Sequence, residues 1–319
     1  MAPPSRPALM QFAAETHGGL RAQRQSMLSA ASAPPRLSGE ISAVYQKKYF
    51  RKGIRMATEN PAPIVESTLL ENGTLLRLVL NRPKGNVLTL EMMQALSKEL
   101  AAQKGNTHLR MVIIRGAGKH FSFGASVEEH RKEQAPAMLA GFHAMIRQVA
   151  GYSVPIAALV EGSCLGGAFE LVLACHFVFA APNASLGCPE ITLGVLPPVL
   201  AAIGAHRLGG PLAERLIITG ATMDAATAEK SGLVTAVFSG DNPEEELMGW
   251  YRKHILPLSA LAVRQNTCVA RIGSGLIAAL QEPLDRIERQ YVTEVLGSHD
   301  GNEGISAFIE RRKPVWKDC

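Results

Sequence analysis

The order of apolar and polar segments predicts an α/β fold. Between residues 64 and 238, short β-prone runs alternate with longer stretches of helical period, the pattern of strands joined by crossover helices. After residue 241 the strand signals stop and helical stretches fill the rest of the chain. Midway, at residues 161–170, a run of small residues turns an apolar strand into an apolar helix.

Residues 64–70 and 74–80 read as strands of a hairpin across Glu71-Asn72-Gly73. Asn81-Arg82-Pro83-Lys84-Gly85-Asn86 is a loop. Residues 89–103 form an amphipathic helix with Leu90, Met93, Leu96 and Leu100 on one face. A buried strand at 111–115, a loop at 116–124, a polar segment from 126 and a helix at 137–150 follow. Next come a strand at 155–160, a helix at 169–175 and a strand at 177–180. Helices at 212–219 and 224–231 precede a strand at 233–238. The remaining helices are expected at 244–256, 260–271, 277–296 and 303–312, a region too thin to fold well alone and expected to pack on the core or a neighbouring subunit. The expected division is a basic extension at 1–55, a core at 56–243 and a helical C-terminal region at 244–319.

The chain has 319 residues, 47% hydrophobic and 19% charged, which suits a soluble protein with a sizeable core. No apolar run reaches the length of a membrane helix. Five cysteines without a CxxC pair fit a reducing compartment, and a cytoplasmic location is expected. Residues 1–55 hold nine Lys/Arg against Glu15 and Glu40, a net +7, which leaves −2 on the rest of a chain whose total is +5. The basic balance therefore belongs to the extension and argues weakly for nucleic-acid binding by the body. That extension is rich in Ala, Ser, Pro and Arg. The favoured expectation is that translation starts at Met56; a mitochondrial-type presequence is the alternative.

No HxxxH or HExxH pairing suggests a metal, no P-loop or GxGxxG suggests a nucleotide, and no GxSxG suggests a serine nucleophile. What stands out is 161–170. Its turn presents free N–H groups at a helix N-terminus, and Glu170 follows Gly167 by about one helical turn. A second glycine-bearing loop, 120–126, follows another buried strand. If both strands share a sheet, the two loops emerge at one edge and two N–H groups can converge on one oxygen. On spacing alone, ordinary strand-to-helix turns are the favoured reading. Glu170 lies among apolar neighbours, where an unpaired carboxylate is costly without a task, while Glu190 alone reads as a surface or capping residue.

From about residue 64 to 317 the chain resembles the enoyl-CoA hydratase/isomerase (crotonase) superfamily. The matching segments stand in family order. They are Leu80-Asn81-Arg82-Pro83 with Asn86, then Phe121-Ser122-Phe123-Gly124-Ala125, Pro155 with 162–170, Phe179-Ala180-Ala181, and Gly187-Cys188-Pro189-Glu190 with Leu193-Gly194; Thr219-Gly220, residues 228–234 and the closing stretch 298–312 complete the set. The resemblance implies a ClpP-like spiral of ββα repeats with a helical C-terminal trimerisation region, and a homotrimer or homohexamer. It implies an oxyanion hole from the N–H groups of Ala125 and Gly167, catalytic roles for Glu170 and Glu190, and substrate or CoA contacts at Lys84, Val87, Ser126 and Gly166. Keeping both glutamates favours water addition, with Glu190 activating water and Glu170 donating the proton. No cofactor is implied, because coenzyme A is part of the substrate.

The chain departs from typical hydratases at Ser126, at Ala168 and at 196–200, where Leu196-Pro197-Pro198-Val199-Leu200 replaces a glycine-rich stretch. Residues 121–130 resemble the subgroup that hydrates cyclohexa-1,5-diene-1-carbonyl-CoA to 6-hydroxycyclohex-1-ene-1-carbonyl-CoA in anaerobic benzoyl-CoA degradation. The expected partner is an acyl-CoA substrate, with no nucleic acid and no membrane. The alternatives are a generic short-chain enoyl-CoA hydratase and an RNA-binding homologue that uses the basic extension.

Overall fold

The computed structural model describes residues 62–319. The expectations for 1–55, and the start of the core at 56, lie outside the described residues. β1 (Val65–Leu70) and β2 (Leu75–Leu80) form the expected hairpin, closed by a 3-10 turn at Glu71–Gly73 with Asn72 and Gly73 at positive φ. α1 (Leu90–Ala102) is capped by Thr89, whose hydroxyl accepts from the Met92 N–H at 3.3 Å. β3 (Met111–Gly116), α2 (Ala135–Ala150) and β4 (Ile156–Val160) make the next crossover. β5 (Ser163–Leu165) leads into α3 (Gly167–Ala174), followed by β6 (Phe177–Ala180) and β7 (Ser185–Gly187). Then come α4 (Pro198–Leu208), α5 (Gly210–Thr219), β8 (Thr222–Asp224), α6 (Ala225–Lys230) and β9 (Ala236–Val237). The chain closes with α7 (Pro243–His254), α8 (Ala260–Gly273), α9 (Leu276–Ala279), α10 (Glu282–Gln290) and α11 (His299–Glu310).

The main sheet has the order β1-β2-β3-β4-β6-β9, parallel from β2 onward, and a smaller sheet has the order β5-β7-β8. Both faces of the main sheet are covered, which explains why Met111 to Ile114 form an unbroken apolar run. Val112 and Ile114 pack with the helices α1 to α3, while Met111, Ile113 and Phe179 meet Leu247, Met248 and Tyr251 of α7. The helices after β9 thus pack on the core, and residues 63–319 are one compact unit. Glu244, at the start of α7, ties that helix to the sheet by accepting from Arg77 at 3.1 Å and from Arg115.

Three differences from expectation have physical reasons. No helix is expected at 198–208, yet Pro198 opens α4, where its missing N–H costs nothing. The expected single helix over 277–296 is broken into α9, α10 and a π-turn at Tyr291–Val295, because Pro283 cannot continue a helix from α9. The strands β5, β7 and β8 have three residues each, too few for a period-2 pattern to register.

Candidate active site

β3 and β4 are parallel neighbours, with Val112 opposite Ile156 and Arg115 opposite Leu159. Their following loops therefore leave the sheet at one edge, the condition for convergent N–H groups. The loops then zip together. Phe121 N–H donates to the Glu161 carbonyl at 2.8 Å, Ser122 N–H to Ser163 at 3.1 Å, and Leu165 N–H back to Ser122 at 3.1 Å. Asn86 cinches the first loop: its buried side-chain amide donates to the carbonyls of Ala117, His120 and Phe121 at 3.0 to 3.2 Å.

This pairing sets the backbones of Ala125 and Gly167 side by side. The N–H groups of Leu88 and Ser126 bond to Gly124 and Leu88 carbonyls at 2.9 and 3.1 Å. Because successive N–H groups along extended backbone point opposite ways, that of Ala125 faces away from Leu88. On its other side lies Gly167: a Cβ built on Gly167 would stand 3.4 Å from the Ala125 nitrogen. Gly167 is the first residue of α3, so its own N–H has no carbonyl one turn back to bond. Gly166 makes the turn into the helix at φ 54 and ψ −133, and a Cβ there would meet Glu190 Oε1 at 2.8 Å.

Both glutamates reach the same cavity, which Ala125, His130, Phe142, Gly167, Leu196, Pro198 and Tyr291 help line. Glu170 is buried in the first turn of α3, and its Oε1 accepts from the Val199 and Leu200 N–H groups at 2.7 and 2.9 Å. These are free donors at the N-terminus of α4, so the carboxylate caps a helix distant in sequence. Both bonds fall on Oε1, which leaves Oε2 for the cavity. Glu190 opens a 3-10 helix at Glu190–Leu193, and its buried Oε2 has no hydrogen-bond partner among the described residues. Burial pushes both carboxyls up from the ordinary range toward neutrality. The two α4 N–H groups oppose the rise at Glu170, whereas the charge of Glu170 adds to it at Glu190. The pair therefore holds one proton most readily on Glu190.

A raised carboxyl costs stability as pH climbs. The protonated form that the fold prefers is fully present below the unfolded-state pKa, and its advantage is lost as pH rises through the folded-state value. Glu190→Gln removes this penalty. Its melting temperature should match wild type near pH 4 and exceed it by an increasing margin toward pH 8, as scanning calorimetry would record.

The other expected contacts divide. Gly166 packs on Glu190, and Val87 precedes the Leu88–Ala125 bridge. Lys84 is exposed at positive φ in the loop before α1. Ser126 is buried and bonds Glu128 at 3.2 Å, while its carbonyl accepts from His130 Nδ1 at 2.7 Å. His130 lines the cavity and Ser126 does not. Of the departures at 196–200, Leu196 and Pro198 line the cavity, and Val199 and Leu200 hold Glu170. Sequence reasoning missed His130, Phe142 and Tyr291 as lining residues. His130 ends the quoted stretch 121–130, but nothing in its spacing marks it as a lining residue.

The chain is similar to known proteins. The sequence profile of the enoyl-CoA hydratase/isomerase family matches residues 71–319. A cyclohexa-1,5-dienecarbonyl-CoA hydratase of Thauera aromatica is 37% identical over 250 residues, covering 78% of this chain and 95% of its own length. A 2,3-dehydroadipyl-CoA hydratase of Escherichia coli strain K12 is 33% identical over 252 residues, covering 76% of this chain and 95% of its own. The crystal structure of an enoyl-CoA hydratase from Mycobacterium avium subsp. paratuberculosis K-10 superposes with a TM-score of 0.70 at 27% identity, over 81% of this chain and all of that one.

Proposed function

The chain belongs to the enoyl-CoA hydratase/isomerase family, and from that membership we propose that it adds water to an α,β-unsaturated acyl-CoA through Glu170 and Glu190. The observation that carries the reading is one cavity lined by the carboxyls of Glu170 and Glu190 together with Ala125 and Gly167, whose backbones lie side by side. The thioester oxygen accepts from Ala125 and Gly167, so charge that develops on it as water attacks meets donors already in place. One such donor contributes about 3 kcal/mol to the transition state.

Glu170, whose charge the α4 N–H groups favour, takes a proton from water as the water oxygen bonds the β-carbon. Glu190, carrying the resting proton, gives it to the carbanion. This reverses the roles expected from sequence, because the helix N-terminus favours charge on Glu170 and its charge in turn favours the proton on Glu190. In a simple enoyl ester the proton goes to the α-carbon. In cyclohexa-1,5-diene-1-carbonyl-CoA the charge spreads over a dienolate, and protonation at the far γ-carbon gives 6-hydroxycyclohex-1-ene-1-carbonyl-CoA.

The cyclic diene is the favoured substrate, which would place the reaction in anaerobic benzoyl-CoA degradation. The 37% relative and the stretch 121–130 support it, and Leu196 and Pro198 supply an apolar wall for a ring. Other hydratases, at 33–34% identity, are nearly as similar, so the substrate is decided by assay. The diene ester should be hydrated with kcat/KM at least tenfold above crotonyl-CoA, roughly the scale on which an apolar pocket discriminates. A preference for crotonyl-CoA would remove the ring substrate and leave the hydratase reading in place.

We further propose a homotrimer or homohexamer in the cytoplasm. The exposed Leu261, Val269 and Ile272 of α8 give apolar area for a second copy to cover.

A further inference from the structure

Tyr291 is the first residue of the π-turn that follows α10 and is 1% exposed, yet its hydroxyl has no partner among the described residues. A buried donor left unpaired costs about 1–3 kcal/mol, so an unpaired one at a cavity wall points to a missing partner. The same cavity holds a second such atom, the acceptor Oε2 of Glu190. The space beside these two atoms has room for a water molecule.

The fold fixes Tyr291 in this place from behind. His143 and Arg147, one turn apart on α2, grip Glu288 and Asp285 of α10, and Arg147 Nε also donates to the Leu280 carbonyl at 2.8 Å. Phe142, beside His143, lines the cavity and approaches Gly167, so the same helix supports both the oxyanion turn and the tyrosine. Burial and the charges of both glutamates push the phenol pKa up, which keeps its proton on the oxygen.

We infer that the Tyr291 hydroxyl is a further catalytic group, a third ligand of the water that adds to the substrate. It donates one hydrogen bond to the water oxygen, the water donates to Glu170, and the remaining lone pair faces the β-carbon. Tyr291 keeps its proton throughout; in the reverse direction it holds the departing hydroxyl. The inference rests on the hydratase reading above.

The test is Tyr291→Phe, which keeps the ring and removes the oxygen. Hydration kcat should fall about 100-fold, the scale of one lost preorganised donor. Two readouts that do not need the water should be unmoved: the affinity for butyryl-CoA, and exchange of its α-proton with deuterium oxide. The melting temperature should hold, since the buried ring is kept. Hydration within twofold of wild type, or a parallel fall in hydration and α-exchange, would overturn the role on water. A wild-type protein that hydrates no unsaturated acyl-CoA would instead overturn the hydratase reading, and this inference with it.

Discussion

Replacing Glu170 or Glu190 by glutamine should lower hydration turnover by about 10³-fold or more while acyl-CoA affinity stays within about threefold of wild type. Glutamine keeps the shape and one acceptor oxygen, so the amide introduced by Glu170→Gln can still accept from the two α4 N–H groups. What it lacks is proton transfer. Single-turnover kinetics with a separate binding titration distinguishes the two effects. The variants should also differ in pH dependence. With the proposed roles, wild type needs Glu170 ionised and Glu190 protonated, and both carboxyls are raised by burial. Its kcat/KM should therefore be bell-shaped with both limbs displaced upward from the ordinary carboxylate range. Activity falls at low pH as Glu170 gains a proton and at high pH as Glu190 loses one. Residual activity of Glu190→Gln should lose the alkaline limb and keep the acidic one.

Gly124→Ala should lower turnover by about 100-fold, the effect of displacing reacting groups by about an ångström. Gly124 lies at φ +97, and a Cβ there would stand 2.5 Å from the Leu165 carbonyl oxygen and 3.4 Å from the Gly167 nitrogen. Both neighbours are backbone of the turn that aims the Gly167 donor, so neither can yield without moving it. Gly118→Ala is the control. Gly118 has φ +75 and open space around it, so alanine there meets the same backbone strain, about 1–2 kcal/mol, with no collision. Its activity should remain near wild type. Equal activity losses in the two variants would assign the effect to strain and not to the oxyanion turn.

Residues whose task is local were legible before the fold was known. The 161–170 turn combines a strand, small residues and a carboxylate on a helix start, and these positions stand as expected around Gly167 and Glu170. Glu190 was not legible on its own. It lies in a 3-10 turn beside a proline, and the fold marks it as part of a site by packing Gly166 against its carboxylate and placing it in the cavity with Glu170. Resemblance to the family supplied what spacing could not. The proton roles depend on α4, whose start was obscured because Pro197-Pro198 signals both a break and a helix opening. Tyr291 was hidden inside an expected helix over 277–296, since its direction is set by the Pro283 break and by the grip of α2 on α10.

The central claim is that these residues add water to an unsaturated acyl-CoA, and oxygen-18 water tests it most directly. Crotonyl-CoA and cyclohexa-1,5-diene-1-carbonyl-CoA are each incubated with the protein in labelled water, and the products are weighed by mass spectrometry. The account predicts a hydroxyacyl-CoA carrying one labelled oxygen from at least one ester, formed about 10³-fold or more slower with Glu170→Gln or Glu190→Gln. Substrate that binds yet takes up no oxygen, or label uptake undiminished in either glutamine variant, would contradict it.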